Sequence, residues 1–266
     1  LKLGALYFDT NLFQQYYTTI TQTVTEYTKD EKDYIKNSGT IKIGAVGGSD
    51  PLAYSTGESF GGIIADVLDL VCEKSGLNFE YVLIPSDVDP YKYCQQQGID
   101  IYAGVMINSE RALSRGDSGS YAYSEAIFST AADIAVKADS DIDFSQECTV
   151  AIARANVGSS SYDLKKYGNI KLLVTDTSEE ALAAVDNGDA DAALDNIFVV
   201  EHYIRSHSQC NLTTVSSYNE EQTLKLCIMD KSDSLLVSII NKAIALTDDE
   251  KINEILVRES MDSGQL

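Results

Sequence analysis

Apolar positions along this chain change period repeatedly, and each change marks an element. Over 62–76 they fall at Ile63, Ile64, Val67, Leu68, Leu70 and Val71. That is close to a 3.6-residue period and predicts an amphipathic helix ending at Gly76. Before it, 41–46 reads as a strand, and Gly47-Gly48-Ser49-Asp50-Pro51 as a loop dense in turn residues. After it come a strand over 79–84, a short helix over 91–97 and a buried strand over 99–105. An irregular polar stretch over 108–125 leads to a strand over 131–136. The rhythm then restarts: strand 149–153, helix 159–167, strand 171–174, helix to 187, strand 190–194, helix through 204 and strand 224–229. Helices over 234–246 and beyond 247 close the chain. Three T-x-x-E boxes, starting at Thr28, Thr177 and Thr247, mark helix starts. The first opens a helix to about Ser38 with Gly39 at its end. Strands alternating with helices imply parallel sheets joined by crossover helices.

One unit occurs twice. Gly98-Ile99-Asp100-Ile101-Tyr102-Ala103-Gly104 and Gly188-Asp189-Ala190-Asp191-Ala192-Ala193-Leu194-Asp195 each follow a helical stretch. In each, the Gly sits at a helix C-cap, and Asp and apolar residues follow as in a short buried strand. Two copies of one turn-and-strand unit imply two similar lobes. Past the first copy stands Arg111 and at the end of the second Asp195, a cation and an anion. Facing each other across a cleft, they would fit a zwitterion.

Composition narrows the class. At 266 residues and 44% hydrophobic content the chain can fill one or two cores. A net charge of -21 disfavours nucleic acid and otherwise describes a solvated surface. No apolar run reaches the ~18 residues of a membrane span. The first residue is Leu1 rather than Met, which reads as a segment excised from something longer. The five cysteines form no C-x-x-C pair and are odd in number, which excludes a full disulfide framework. His202 and His207 have no cysteine at ligand spacing, so neither a zinc site nor any other cofactor is expected. No G-x-S-x-G context supports a nucleophile.

In parallel α/β sheets ligands bind beyond the carboxyl ends of the strands. Four places qualify: Ser49 to Tyr54; Gly104-Val105-Met106 with the segment carrying Arg111; Ala155-Asn156-Val157-Gly158-Ser159; and Asp195-Asn196. The third offers free N–H groups to an anion, or is a plain helix cap. Arg111 is a surface residue or a bidentate partner for a carboxylate. Asp195 caps the next helix or accepts from an ammonium. Tyr54 packs or forms a platform for a ligand.

These segments resemble family 3 of the bacterial extracellular solute-binding proteins. Asp50-Pro51-Leu52-Ala53-Tyr54, then Phe60-Gly61-Gly62 and Asp66, follow that family's Pro-Pro-Phe stretch and Gly-Phe-x-x-Asp. Gly98-Ile99-Asp100 through Asn108-Ser109-Glu110-Arg111 is similar to its Gly-x-x-Asp…Thr-x-x-Arg segment. Gly188 through Asp195 is similar to its second-lobe signature. The resemblance covers about 40–260 and implies an α/β, two-lobed periplasmic-binding-protein type 2 fold. Each lobe is then a mostly parallel sheet flanked by helices, with two hinge crossings near 132–136 and 224–229. It implies that Arg111 holds an α-carboxylate and Asp195 an α-ammonium, with donors from the turn at Asn156. Ser49, Asp50, Tyr54, Gly104 and Met106 complete the expected ligand set. Two positions depart from the family: Ser49 stands where an aromatic platform is usual, unless Tyr54 swings in, and no hydroxyl residue stands near Met106.

The expected organisation is a lead-in over 1–39, one lobe of 40–133 with 229–266, and a second of 134–228. The run from Tyr27 to Ile35 resembles the junction between tandem flytrap domains of membrane sensors; the plain alternative is a helix packed on the first lobe. The expected function is an extracytoplasmic domain that closes on an amino acid or analogue, the sensory part of a membrane-anchored signalling protein. A soluble receptor serving a transport permease is the alternative. A dehydratase on the same fold would need a general acid such as Glu125 or Asp50.

Overall fold

The structure is a computed structural model and describes residues 26–107, 121–157, 169–215 and 220–261. The Thr28 box forms as read: its side chain accepts from the Glu31 N–H, and Glu31 accepts from the Thr28 N–H, opening α1 (Lys29–Asn37). Strand β1 (Thr40–Val46) leads to a small hairpin, β2 (Tyr54–Ser55) and β3 (Phe60–Gly61). Helix α2 (Ile63–Ser75) follows; Ile63, Ile64, Val67, Leu68 and Val71 make it helical and bury it. Each such side chain contributes roughly 1.5–3 kcal/mol. Then come β4 (Asn78–Ile84), α3 (Pro90–Gln97), β5 (Ile101–Ile107), β6 (Ala122–Tyr123), β7 (Phe128–Lys137) and β8 (Cys148–Ala153). A 3-10 turn over Arg154–Asn156 precedes β9 (Ile170–Thr175), α4 (Ser178–Asn187), β10 (Ala192–Asn196) and α5 (Ile197–Ser206). Strands β11 (Leu212–Thr214) and β12 (Glu220–Ile228) and helices α6 (Ser234–Leu246) and α7 (Asp249–Met261) end the described chain.

Strand order is β4-β1-β5-β12-β7-β10-β8-β9, with β6 on β12 and β11 on β7. β1 runs parallel to β4 and β5, and β8 runs parallel to β9 and β10. Between these two parallel groups lie the antiparallel pair β12 and β7, which hydrogen-bond to each other over Glu220–Leu224 and Phe128–Ala132. These are the two crossings. They meet a few residues before the stretches read from sequence: 132–136 already pairs with β10, and 223–228 with β5. Helices α2 and α6 pack together on one parallel group, and α4 and α5 cover the other.

The doubled unit is the device that joins neighbouring strands. Gly98 and Gly188 take left-handed φ values of 63° and 84°, which end α3 and α4 and turn the chain into β5 and β10. The Asp100 N–H donates to the Lys42 carbonyl and its carboxylate accepts from the Lys42 N–H at 2.8 Å. Asp191 repeats both bonds with Thr149, the carboxylate contact at 2.7 Å.

The third box does not form. Thr247 turns its hydroxyl back to the Ala243 carbonyl at 2.9 Å, and Asp248 accepts from the Glu250 N–H instead. All five cysteines are free thiols. Among the described residues no helix is long and apolar enough to cross a membrane, and no three His, Cys, Asp or Glu could hold a metal ion. The helix read over 159–167 and the segment with Arg111 lie outside the described residues.

Candidate functional site

The strand ends of both parallel groups converge on one cavity of about 40 Å³. Ser49, Leu52 and Ala53 come from the loop after β1, and Gly104 from β5. Asn156 comes from the 3-10 turn after β8, and Asp195 and Asn196 from the end of β10. Gln222, on the crossing strand β12, lies at the floor between the two groups. The loop after β1 holds its shape by its own bonds: Ser49 N–H to the Ala53 carbonyl at 3.1 Å and Leu52 N–H to the Ser49 carbonyl at 2.8 Å. Of the residues picked from sequence, Ser49, Gly104, Asn156 and Asp195 are therefore brought together.

Asp195 is the chemical centre. It is 3% exposed. The Asn156 amide donates to both carboxylate oxygens at 3.2 and 3.3 Å, and the Asn196 N–H donates to Oδ1 at 2.7 Å. The Ser178 hydroxyl is buried without a partner in hydrogen-bond geometry, yet close enough to lower the carboxyl's pKa. Burial outweighs these donors and pushes the Asp195 pKa up to about 6. Among the described residues no lysine or arginine forms an ion pair with it. A buried carboxylate without a cation favours a partner that brings one.

The alternative role for Asp195, capping α5, belongs to its neighbour. The Asn196 side chain accepts from the Phe198 N–H at 3.0 Å, and its amide reaches Thr130 at 3.3 Å and Gln222 at 3.4 Å. Sequence reasoning named Asn196 only as part of a segment; an Asn at a strand-to-helix junction is a capping signal that would have singled it out. Gln222 carried no such signal, because it lies in a polar stretch whose strand character comes from pairing alone.

Two expected positions, Tyr54 and Asp50, stand elsewhere. Tyr54 is 38% exposed and is not brought to the cavity. The β2–β3 hairpin pairs it with Gly61, and its ring fills the space a Cβ there would need. Asp50 turns away into a separate cavity shared with α4 and α5. Met106, two residues past Gly104, pairs with Leu224 in the ladder of β5 and β12. Arg111 is outside the described residues.

The two groups also touch directly. The Ser178 N–H, at the start of α4, donates to the Gly48 carbonyl at 3.0 Å. Gly48 has φ +85°, and a Cβ there would stand 2.7 Å from Thr177 Cγ2. Only glycine permits this approach.

Against known proteins, the sequence model described as bacterial extracellular solute-binding proteins, family 3, matches residues 41–258. The virulence sensor protein BvgS of Bordetella pertussis is 24% identical over 233 residues, 87% of this chain and 19% of its own length. The chain thus spans about a fifth of the curated relatives it matches. The crystal structure of the Bordetella pertussis BvgS periplasmic VFT2 domain superposes with a TM-score of 0.72 at 22% identity, covering 88% of this chain and 98% of that one. The GluR0 ligand-binding core in complex with L-glutamate gives 0.68 at 19% identity, covering 84% and 98%. The substrate-binding protein of an amino acid ABC transporter gives 0.65 at 20% identity, covering 83% and 98%.

Proposed function

The chain belongs to the bacterial extracellular solute-binding proteins, family 3, and from that premise we propose that it closes around a small amino acid or analogue as the sensory module of a membrane signalling protein. The family is extracellular, so the module works outside the cytoplasm. The observation that carries the ligand reading is Asp195: a buried carboxylate, held from behind by Asn156, with no cation beside it among the described residues. A ligand ammonium supplies the missing charge. Arg111 is assigned the carboxylate end by its place in the family pattern.

The described part of the cavity is small, about 40 Å³, and the ligands to try first are the small amino acids glycine, alanine and serine. Ser49 and Ala53 fit this reading, since neither offers a platform for a large side chain. We take the lobes as 40–133 with 229–266, and 134–228, with 1–39 leading in. A ligand that touches Asp195 on one lobe and the β1 and β5 loops on the other binds the closed arrangement better and shifts the population towards it. The sensory role rests on the likeness to BvgS.

The reading is of a binder, not a catalyst. Glu125, which a dehydratase would call on, has its N–H bonded to Asn241 of α6 at 2.9 Å and lines a groove there. Calorimetry with glycine, alanine and serine tests the proposal. Binding is expected in the wild type, a loss of at least about 100-fold in Asp195→Asn, equal to about 2.7 kcal/mol, and weaker binding below pH 6 as the carboxyl protonates. Equal affinity in wild type and variant would exclude Asp195 as the ammonium partner.

A further inference from the structure

Asp195 is followed at once by Asn196, whose side chain falls on the opposite face of β10. There its amide nitrogen donates to the Thr130 hydroxyl at 3.3 Å and to Gln222 Oε1 at 3.4 Å. The Thr130 hydroxyl also lies 3.4 Å from Asn196 Oδ1, so it either donates to that oxygen or accepts from the amide. Thr130 on β7 and Gln222 on β12 are partners in register on the two crossing strands. Asn196 pairs with Ala132, two residues further along β7. Cross-strand partners and residues two apart share a face, so the three side chains lie together on one side of the sheet.

Asn196 has two further engagements. Its N–H donates to Asp195 Oδ1 at 2.7 Å, and its side-chain oxygen caps α5 at the Phe198 N–H, 3.0 Å away. One buried residue thus touches the carboxylate of the cavity, the first turn of α5 and both crossings.

We propose that Thr130, Asn196 and Gln222 form a hinge clasp: positioning residues through which the ladder between the lobes holds Asp195 and favours the arrangement in which Ser178 meets Gly48. The part that concerns ligand rests on the role given to Asp195 above.

The sharing of β7 is what gives the clasp its leverage. Phe128–Ala132 pairs with β12, and Ala132–Val136 pairs with β10. Each ladder is stiff, so a turn of one lobe against the other is absorbed where the partner changes, at Ala132. Thr130 and Gln222 lie on one side of that point and Asn196 is tied to the other. The turn therefore moves them apart. Contacts of 3.3 and 3.4 Å are already longer than the usual range, and a small turn ends them. Buried amides are costly to leave unpaired, which favours the arrangement that pairs them all. Thr130 itself does not line the Asp195 cavity. Its effect on a ligand passes through Asn196.

Hydrogen exchange of the ligand-free chain, read by mass spectrometry, tests the clasp. Thr130→Val replaces the hydroxyl by a methyl group, and Thr130→Ser keeps the hydroxyl. Thr130→Val is expected to speed exchange about three- to tenfold over Phe128–Ala132 and Glu220–Leu224, with β1 and β8 unchanged. Its radius of gyration should grow towards that of Gly48→Val, which props the lobes apart through Thr177. Thr130→Ser should restore both readouts. Gln222→Leu should act in the same way as Thr130→Val. The double variant should change exchange by less than the product of the two, because both act on the same Asn196 amide. Unchanged exchange or an unchanged radius in Thr130→Val overturns the proposal. So does acceleration spread evenly over β1 and β8, the same loss in Thr130→Ser, or a double variant that is fully multiplicative. None of these measurements uses ligand, so their failure leaves the Asp195 reading standing; failure of the calorimetry bears on that reading alone.

Discussion

Asp100 and Asp191 each take the N–H of the first residues of a neighbouring strand and return their own N–H to the same residue's carbonyl. The sequence made the repeat visible but not this purpose, because the partners, Lys42 and Thr149, are 58 and 42 residues away. Removing either side chain leaves one strand-end N–H to water. Asp100→Ala and Asp191→Ala are each expected to cost about 1 kcal/mol and to lower Tm by roughly 2–4 °C. Being far apart, the two should add to within about 0.5 kcal/mol in denaturant titrations. Asp195 was legible as a charge at a strand end, and its burial was not. The competing reading as a cap failed because Asn196, one residue on, has the geometry to bond the Phe198 N–H. Tyr54 misled for a similar reason: the space it fills exists only because Gly61 lies opposite.

At the level of elements, hydrophobic period located what is buried and missed what is merely paired. The core of α2 and the strands β1, β5 and β10 were legible because their apolar faces are covered. The crossing strands extend further than read, β7 back to Phe128 and β12 back to Glu220. Their polar ends belong to the ladder between the lobes, which no periodicity records. Two capping boxes formed and the third lost to a local competitor, since Asp248 reaches the N-terminal N–H groups that Thr247 abandons. The first box also does more than start a helix. Glu31 is buried and bonded to Lys242 at 2.7 Å and Ser238 at 2.6 Å on α6. Burial alone would raise its pKa, but Lys242, Ser238 and Thr28 outweigh it and hold it down to about 2. A depressed carboxyl stabilises the fold above its unfolded value and loses that contribution as pH falls through the folded one. Glu31→Gln should therefore cost about 2–3 kcal/mol at pH 7. It should also flatten the loss of stability between about pH 4.5 and pH 2, as measured by denaturant unfolding across that range.

For the molecule as a whole, the two-lobed plan was legible from one repeated unit, while the seam was not. The contact of Gly48 with Thr177 and Ser178 depends on how the lobes are set against each other, and nothing local encodes that. Gly48→Val tests its weight. The backbone strain at φ +85° is present in both states, but the clash with Thr177 arises only on closing, so the variant should be more open. The expected readouts are a larger radius of gyration and about tenfold weaker ligand binding, equal to about 1.4 kcal/mol. The lead-in helix has a mechanical consequence of its own. Glu31 and Tyr34 bind α1 to Lys242, Ser238 and Asp233 around α6, and Tyr27 bonds the Lys74 carbonyl at the end of α2. Among the described residues, α1 is thus bolted to the side of the molecule that carries α2 and α6. In the proposed closing about β7 and β12, that helix would turn with its lobe as a rigid arm.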